Sequence, residues 1–259
     1  MAEFLSSAQN PKIRDLLLLE NKSRERKARG LFVVEGRREY ERAKAAGFRT
    51  ETLFVREGEP ETDEADFVVS RQLYERIACR EGTEGIIAVL QAQPRTLSGI
   101  RLSGSPLVLV LEQVEKPGNI GAVLRSADAA AADAVLVCDP LTDLYNPNLI
   151  RASLGAVFTV PTAACTSEEA WEWLSGHGIA VLTAQLQDSV LYYECDMVRP
   201  TALVFGAEDK GLSPFWRQRA DAHIRIPMSG MMDSLNVSVS AAILAFEAVR
   251  QRNLKNTQR

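Results

Sequence analysis

A chain of 259 residues, 46% hydrophobic and 25% charged, has the composition of an ordinary globular protein and can bury a core without disulfide or metal staples. Its net charge of −4 argues against a protein that merely coats nucleic acid. No apolar run is long enough to span a bilayer, MAEFLSSAQN lacks a secretory leader pattern, and His177 and His223 are the only histidines, which disfavours a histidine-rich metal centre. Cys79, Cys138, Cys165 and Cys195 are scattered without CxxC spacing. They read as reduced core thiols of a cytoplasmic protein without a metal site.

Pro11 to Asn21 reads as a helix, with Ile13, Leu16, Leu17 and Leu18 as its apolar stripe. Lys22 to Gly30 is highly charged and reads as a turn or a frayed helix end. LFVVEG (31–36) is a short buried strand leading into a helix from Arg37 to Ala46, which Gly47 stops. Strands are expected at Thr52–Val55 and Phe67–Ser70, separated by an acidic loop. A helix at Gln72–Ala78 and a strand at Ile86–Gln91 complete a first α/β unit. Basic residues crowd its early part: Lys12, Arg14, Lys22, Arg24, Arg26, Lys27, Arg29, Arg37, Arg38, Arg42, Lys44 and Arg49. They form either a phosphate-binding patch or a solvated, salt-bridged helix face.

Ala92 to Ser105, with its proline, serines and glycines, reads as a connection. The expected division is a domain over 1–93, a linker over 94–105 and a second domain over 106–259. The second opens with the apolar strand PLVLVLEQ (106–113), followed by a helix from Gly121 to Ala131 and strands at AVLVC (134–138) and VFTVP. A serine-capped helix spans Ser167–Ser175. IAVLTA (179–184), TALVFG (201–206) and HIRIP (223–227) are strands. Ser213 and Pro214 start a helix, and a long helix runs from Leu235 to Arg252. Strands alternating with helices give an α/β domain with a mostly parallel sheet.

Three loops follow predicted strands, at the carboxyl ends where open parallel sheets bind ligands. In EKPGNIGAVLRSAD, Gly118 and Gly121 permit tight turns, Asn119 offers an amide, and Arg125 lies on the helix that follows. A helix cap for Asn119 and an ion pair with Asp128 for Arg125 are the structural alternatives. In LVFGAEDKGLSP, Gly206 and Gly211 let backbone approach a ligand, and Glu208 can hold a hydroxyl, an amine or an arginine. An exposed acid on a surface turn is the alternative. In IPMSGMMDSLNVSVSAAI, Ser234 is a good N-cap, and Asn236, Ser238 and Ser240 sit beside β-branched residues. Such residues are poor helix formers, a conflict expected at functional sites. The small residues there also suit close helix packing. The dinucleotide fingerprint GxGxxG is absent.

NIGAVLRSAD, FGAEDKGLS and IPMSGMMDSLNVSVSAAI, in this order, resemble the three motifs of the SpoU/TrmH group of SPOUT RNA ribose 2′-O-methyltransferases. LYNPNLIRASLGAVF (144–158) is similar to that group's middle region, and FVVEGRREYERA resembles the start of its small, ribosomal-protein-like substrate-binding domain. The resemblance implies a C-terminal domain with a trefoil knot, an exception to the rule against knots. It implies S-adenosylmethionine as cofactor, a homodimer with active sites near the subunit interface, and structured RNA, ribosomal before transfer RNA, as substrate. Arg125 matches the arginine proposed to act on the attacking hydroxyl. Asn119, Glu208 and Asn236 match the other polar residues of the active site. Val204, Gly206, Ile226, Met228, Ser234 and Leu235 match the cofactor-binding set. Ala207 and Asp209 depart from the group's pattern, which commonly has Asn or Ser and then Gly there. The alternative to an enzyme is a non-catalytic RNA-binding or ribosome-assembly factor on the same fold.

Overall fold

The computed structural model describes residues 2–78 and 84–257, so Cys79 lies outside the described residues. In chain order the elements are β1 (Glu3–Leu5), α1 (Pro11–Asn21), α2 (Ser23–Arg29), β2 (Leu31–Glu35), α3 (Arg37–Ala45), β3 (Thr50–Arg56), β4 (Phe67–Val69), α4 (Arg71–Ile77) and β5 (Ile86–Gln91). These are followed by β6 (Leu107–Glu112), α5 (Pro117–Ala129), β7 (Ala134–Cys138), α6 (Pro147–Ala152), α7 (Ala156–Thr159), β8 (Thr162–Cys165) and α8 (Ser167–Gly176). The chain continues with β9 (Ala180–Ala184), β10 (Val190–Leu191), β11 (Thr201–Phe205), α9 (Pro214–Arg219), β12 (Ala222–Arg225) and α10 (Val237–Thr257).

Two compact units form. One combines Met1–Pro94 with Asp143–Thr159; the other combines Arg95–Thr142 with Val160–Arg259. Residues 143–159 thus group with the N-terminal residues, a grouping that the division at 94–105 does not contain.

The first unit is built on a five-stranded sheet of order β1-β4-β3-β5-β2. Its strands β1, β4 and β3 are parallel, and β5 runs antiparallel to β3 and β2. Ile13, Leu16 and Leu19 of α1 bury against Leu73, Tyr74 and Val89 on one face. Asn10 caps α1, its side chain accepting the Lys12 N–H at 2.8 Å. The charged segment after α1, expected as a turn or a frayed helix end, is a helix of its own. The reason is Arg26, whose guanidinium is buried (5% exposed) and donates to the carbonyls of Leu19 and Glu20 and, at 2.7 Å, to Asp143. Gly30, with φ of 61°, ends α2 in the left-handed conformation.

The segment 143–159 packs on the first unit through rings. Tyr145 stacks on Phe32 with centroids 4.3 Å apart, and Phe158 meets Phe48 edge-on at 5.2 Å. Arg42 donates to the Leu154 carbonyl at 2.7 Å. The expected VFTVP strand is therefore overturned: Ala156–Thr159 is helical, and the strand begins after Pro161, at Thr162. Burial of Val157 and Phe158 outweighs the β-preference of a Val-Phe-Thr-Val run.

The second unit carries a seven-stranded sheet of order β10-β12-β9-β11-β6-β7-β8, parallel in every pairing. Its central strands β6, β7 and β11 are buried throughout, as an apolar parallel strand requires. One face packs on α8 and on α9 through Ala170, Leu174 and Trp216. The helix α10 packs on α5, β6 and β11. The cap of α8 is Thr166, which forms a capping box with Glu169. Strands β1 and β10, three and two residues long, carry too little periodicity to be foreseen.

Candidate active site

The three segments that follow β6, β11 and β12 converge beyond the carboxyl ends of those strands, next to the switch in strand order between β6 and β11. The helix α5 starts at Pro117, earlier than the expected Gly121, because proline suits the first helical position. Asn119 therefore sits in its first turn. After β11 the chain folds back on itself. Gly211, with φ of 64°, donates its N–H to the Ala207 carbonyl at 2.9 Å and closes a small bridge. A Cβ on Gly206 would lie 2.2 Å from the Gly211 carbonyl carbon, so only glycine fits. The loop then ends on Ser213, whose N–H donates to the buried Glu112 carboxylate at 2.8 Å. The Ser213 hydroxyl is buried without a partner among the described residues, so it does not cap α9 as expected.

The cap of α10 is Asn236 rather than the expected Ser234. Its Oδ1 accepts the Ser238 N–H at 2.9 Å and the Ser238 hydroxyl at 2.6 Å. Its amide Nδ2 donates to Asn119 Oδ1 at 3.2 Å. Asn119 in turn donates through Nδ2 to Glu208 Oε1. Each group has one defined role: the two amides transmit donation from Asn236 to Asn119 to the carboxylate. The arrangement holds the Glu208 carboxylate in place through a neutral amide, with no ion pair to it among the described residues.

A cavity of about 490 Å³ opens beside this chain of bonds, within the range of small-molecule sites. Glu208, Asn236, Gly206, Ile226, Met228, Ser234 and Leu235 all line it. Val204 does not: it is fully buried in β11. Arg125 does not either. It lies exposed on α5. Asn119 reaches the site through Glu208 and Asn236.

Several lining residues escaped the reading of the sequence: Lys116, Gln185, Leu186, Arg225, Asp233 and Leu244. Gln185 and Leu186 follow β9 and were open to discovery by the same rule of strand ends. Lys116 sits inside the first of the three loops already singled out, and Arg225 ends the strand that precedes the third. Arg225 is committed, donating to the Ser189 carbonyl and, at 3.4 Å, to its hydroxyl.

The cavity suits S-adenosylmethionine. Phe205, Leu186, Ile226, Met228 and Leu244 supply apolar surface, and the acids Glu208 and Asp233 and the cations Lys116 and Arg225 supply both signs of charge for a molecule that carries a sulfonium, an ammonium and a carboxylate. Among the described residues no group of three or more His, Cys, Asp or Glu is placed to hold a metal. Among the described residues no helix is long and apolar enough to cross a membrane.

Comparison with known proteins places these features in a family. The model of the SpoU rRNA methylase family matches residues 106–246, and that of an MRM3-like substrate binding domain matches residues 10–88. The 23S rRNA (guanosine(2553)-2′-O)-methyltransferase RlmP of Bacillus subtilis is 30% identical over 93% of this chain and 97% of its own length. The 23S rRNA (guanosine-2′-O-)-methyltransferase RlmB of Pseudomonas syringae is 39% identical over 60% of this chain, and the chain spans 62% of that relative, under two thirds. The AdoMet-bound rRNA methyltransferase of Sinorhizobium meliloti superposes with a TM-score of 0.87 at 26% identity, over 96% of this chain and 98% of that one. The chain belongs to the SpoU rRNA methylase family.

Proposed function

We infer that the protein transfers a methyl group from S-adenosylmethionine to a ribose 2′-hydroxyl of ribosomal RNA. The observation that carries this reading is the convergence of Asn119, Glu208 and Asn236 on a donor-sized cavity formed by the Gly206 loop. The names of the relatives support the reaction and the RNA class. When bound, the donor supplies a methyl group already activated by its sulfonium. The chain then has to align a hydroxyl and ease the loss of its proton. Gly206, Ile226, Met228, Ser234 and Leu235 hold the donor. Glu208, fixed by Asn119, orients the entering hydroxyl, and Asn236 keeps Asn119 in the donating rotamer.

Arg125 acts on the attacking hydroxyl or its phosphate, as base or as stabiliser of the alkoxide. Its exposure outside the cavity fits delivery to a second copy of the chain, in a homodimer. Val239 and Phe246 on α10, exposed by 46% and 47%, are apolar groups suited to that contact. Mixing inactive Arg125→Ala subunits with inactive Glu208→Ala subunits tests the arrangement. Regained activity supports shared sites; none, with mixed dimers demonstrated, refutes them.

The RNA grip is assigned to α2 and to Lys22 just before it. Lys22, Arg24 and Lys27 are exposed without ion pairs among the described residues, whereas Arg29 is paired with Asp15 and Arg37 with Glu59 and Glu61. A cytoplasmic location accords with a ribosomal substrate. Transfer of label from S-adenosylmethionine to unmodified ribosomal RNA, against transfer RNA as competitor, tests the substrate class. Label in transfer RNA alone would overturn it.

A further inference from the structure

Two cations line the cavity, Lys116 and Arg225. Arg225 is tied to Ser189, but the ammonium of Lys116 has no ion-pair or hydrogen-bond partner among the described residues. Lys116 is exposed, so it stands at the rim rather than on the floor. Its backbone is held firmly: its carbonyl accepts the N–H groups of Asn119 at 3.0 Å and Ile120 at 3.3 Å, at the start of α5. The stem therefore leaves a fixed point one turn from Asn119, beside the bonds to Glu208 and Asn236.

The donor's sulfonium repels an ammonium, so the partner of Lys116 is an anion. The ribose itself indicates which one. The reacting 2′-oxygen and the 3′-phosphate sit on adjacent carbons, so a 2′-hydroxyl brought to the cavity carries its 3′-phosphate to the rim. We propose that Lys116 binds the phosphate 3′ to the target ribose and so sets the nucleotide's register against Glu208. This rests on the proposed ribose methylation and adds a substrate contact to it. The assignment concerns a binding residue, and no covalent step passes through it.

The test begins with the wild type on unmodified 23S ribosomal RNA, where mapping the methylated nucleotide checks the underlying reading independently. A short oligonucleotide around that nucleotide then serves as probe, with an ordinary or an uncharged methylphosphonate linkage at the 3′ position. Lys116→Gln should raise the KM for the ordinary probe about tenfold, leave S-adenosylmethionine affinity unchanged, and lower the slope of log K against log salt by about 0.7. Lys116→Arg should restore most of the affinity. The methylphosphonate should weaken wild-type binding by a similar factor and Lys116→Gln binding no further. An equal loss in both proteins would overturn the proposal, as would a loss of donor affinity with RNA affinity intact, which would assign Lys116 to the donor's carboxylate. Absence of methylation by the wild type would instead sink the ribose reading.

Discussion

Asn236 donates its amide to Asn119 at 3.2 Å, across 117 residues of sequence. The bond joins the cap of α10 to the first turn of α5, and Asn119 passes the donation on to Glu208. The helix cap and the proposed active site are therefore one network, and its parts should fail together.

Replacement of Asn119 by Ala removes the partners of both Asn236 and Glu208. Hydrogen bonds to a charged group contribute about 1.5–3 kcal/mol, so turnover should fall roughly 10- to 100-fold. The fold should survive, because Asn119 is only half-buried. Steady-state kinetics with circular dichroism check this. Turnover at the wild-type level would remove Asn119 from the account.

At Gly206 the limit is steric. A methyl group would overlap the Gly211 carbonyl, and the loop would have to open. Gly206→Ala should weaken S-adenosylmethionine binding at least tenfold by calorimetry, at a stability cost of about 1–3 kcal/mol. Unchanged donor affinity would mean that this loop does not hold the donor.

The basic residues of the first unit divide into paired and free. Reversing Arg24 and Lys27 to Glu should weaken RNA binding and flatten its salt dependence. Reversing Arg37, already engaged by Glu59 and Glu61, should cost stability more than RNA affinity. Filter binding at several salt concentrations separates the two. The opposite ranking would move the RNA surface to α3.

The buried pair of Arg26 and Asp143 ties the segment 143–159 to α2. Asp143→Ala strands a buried guanidinium and should destabilise the unit by about 3–5 kcal/mol in denaturant melts. Replacing both residues with leucine should cost less than the single change. A single variant as stable as the wild type would contradict this.

Acid should act partly through Glu247. Arg250 holds its carboxyl below the usual carboxylate range, mainly through the side-chain hydrogen bond, with the Gln251 amide helping. A carboxyl with a depressed folded pKa stabilises above its unfolded value, about 4.3. That contribution disappears as pH falls through the folded pKa. Between pH 6 and pH 3 the Tm of Glu247→Gln should therefore fall less than that of the wild type. Parallel curves would contradict the assignment.

The three loops were legible because each breaks a strand or helix period at a strand's carboxyl end. Their mutual contacts were not: Asn119 and Glu208 are 89 residues apart, and no local pattern encodes the pairing. The segment of α2 reads as a turn or a frayed helix end because a dense charge pattern conceals that Arg26 turns inward. VFTVP was misread because its β-preference is a weak local bias, while the rings of Phe32 and Phe48 that bury it lie far off in sequence. Lys116 stood in plain view, but its bearing on the site emerges only when the cavity shows which cations are already paired.

The most direct test of the central claim is to incubate the protein with methyl-labelled S-adenosylmethionine and unmodified ribosomal RNA, digest the RNA to nucleosides, and identify the labelled product. The account predicts label in a single 2′-O-methylated nucleoside, lost with Glu208→Ala. Label on a base, or no label while the donor is demonstrably bound and intact ribosomal RNA is present, would contradict it.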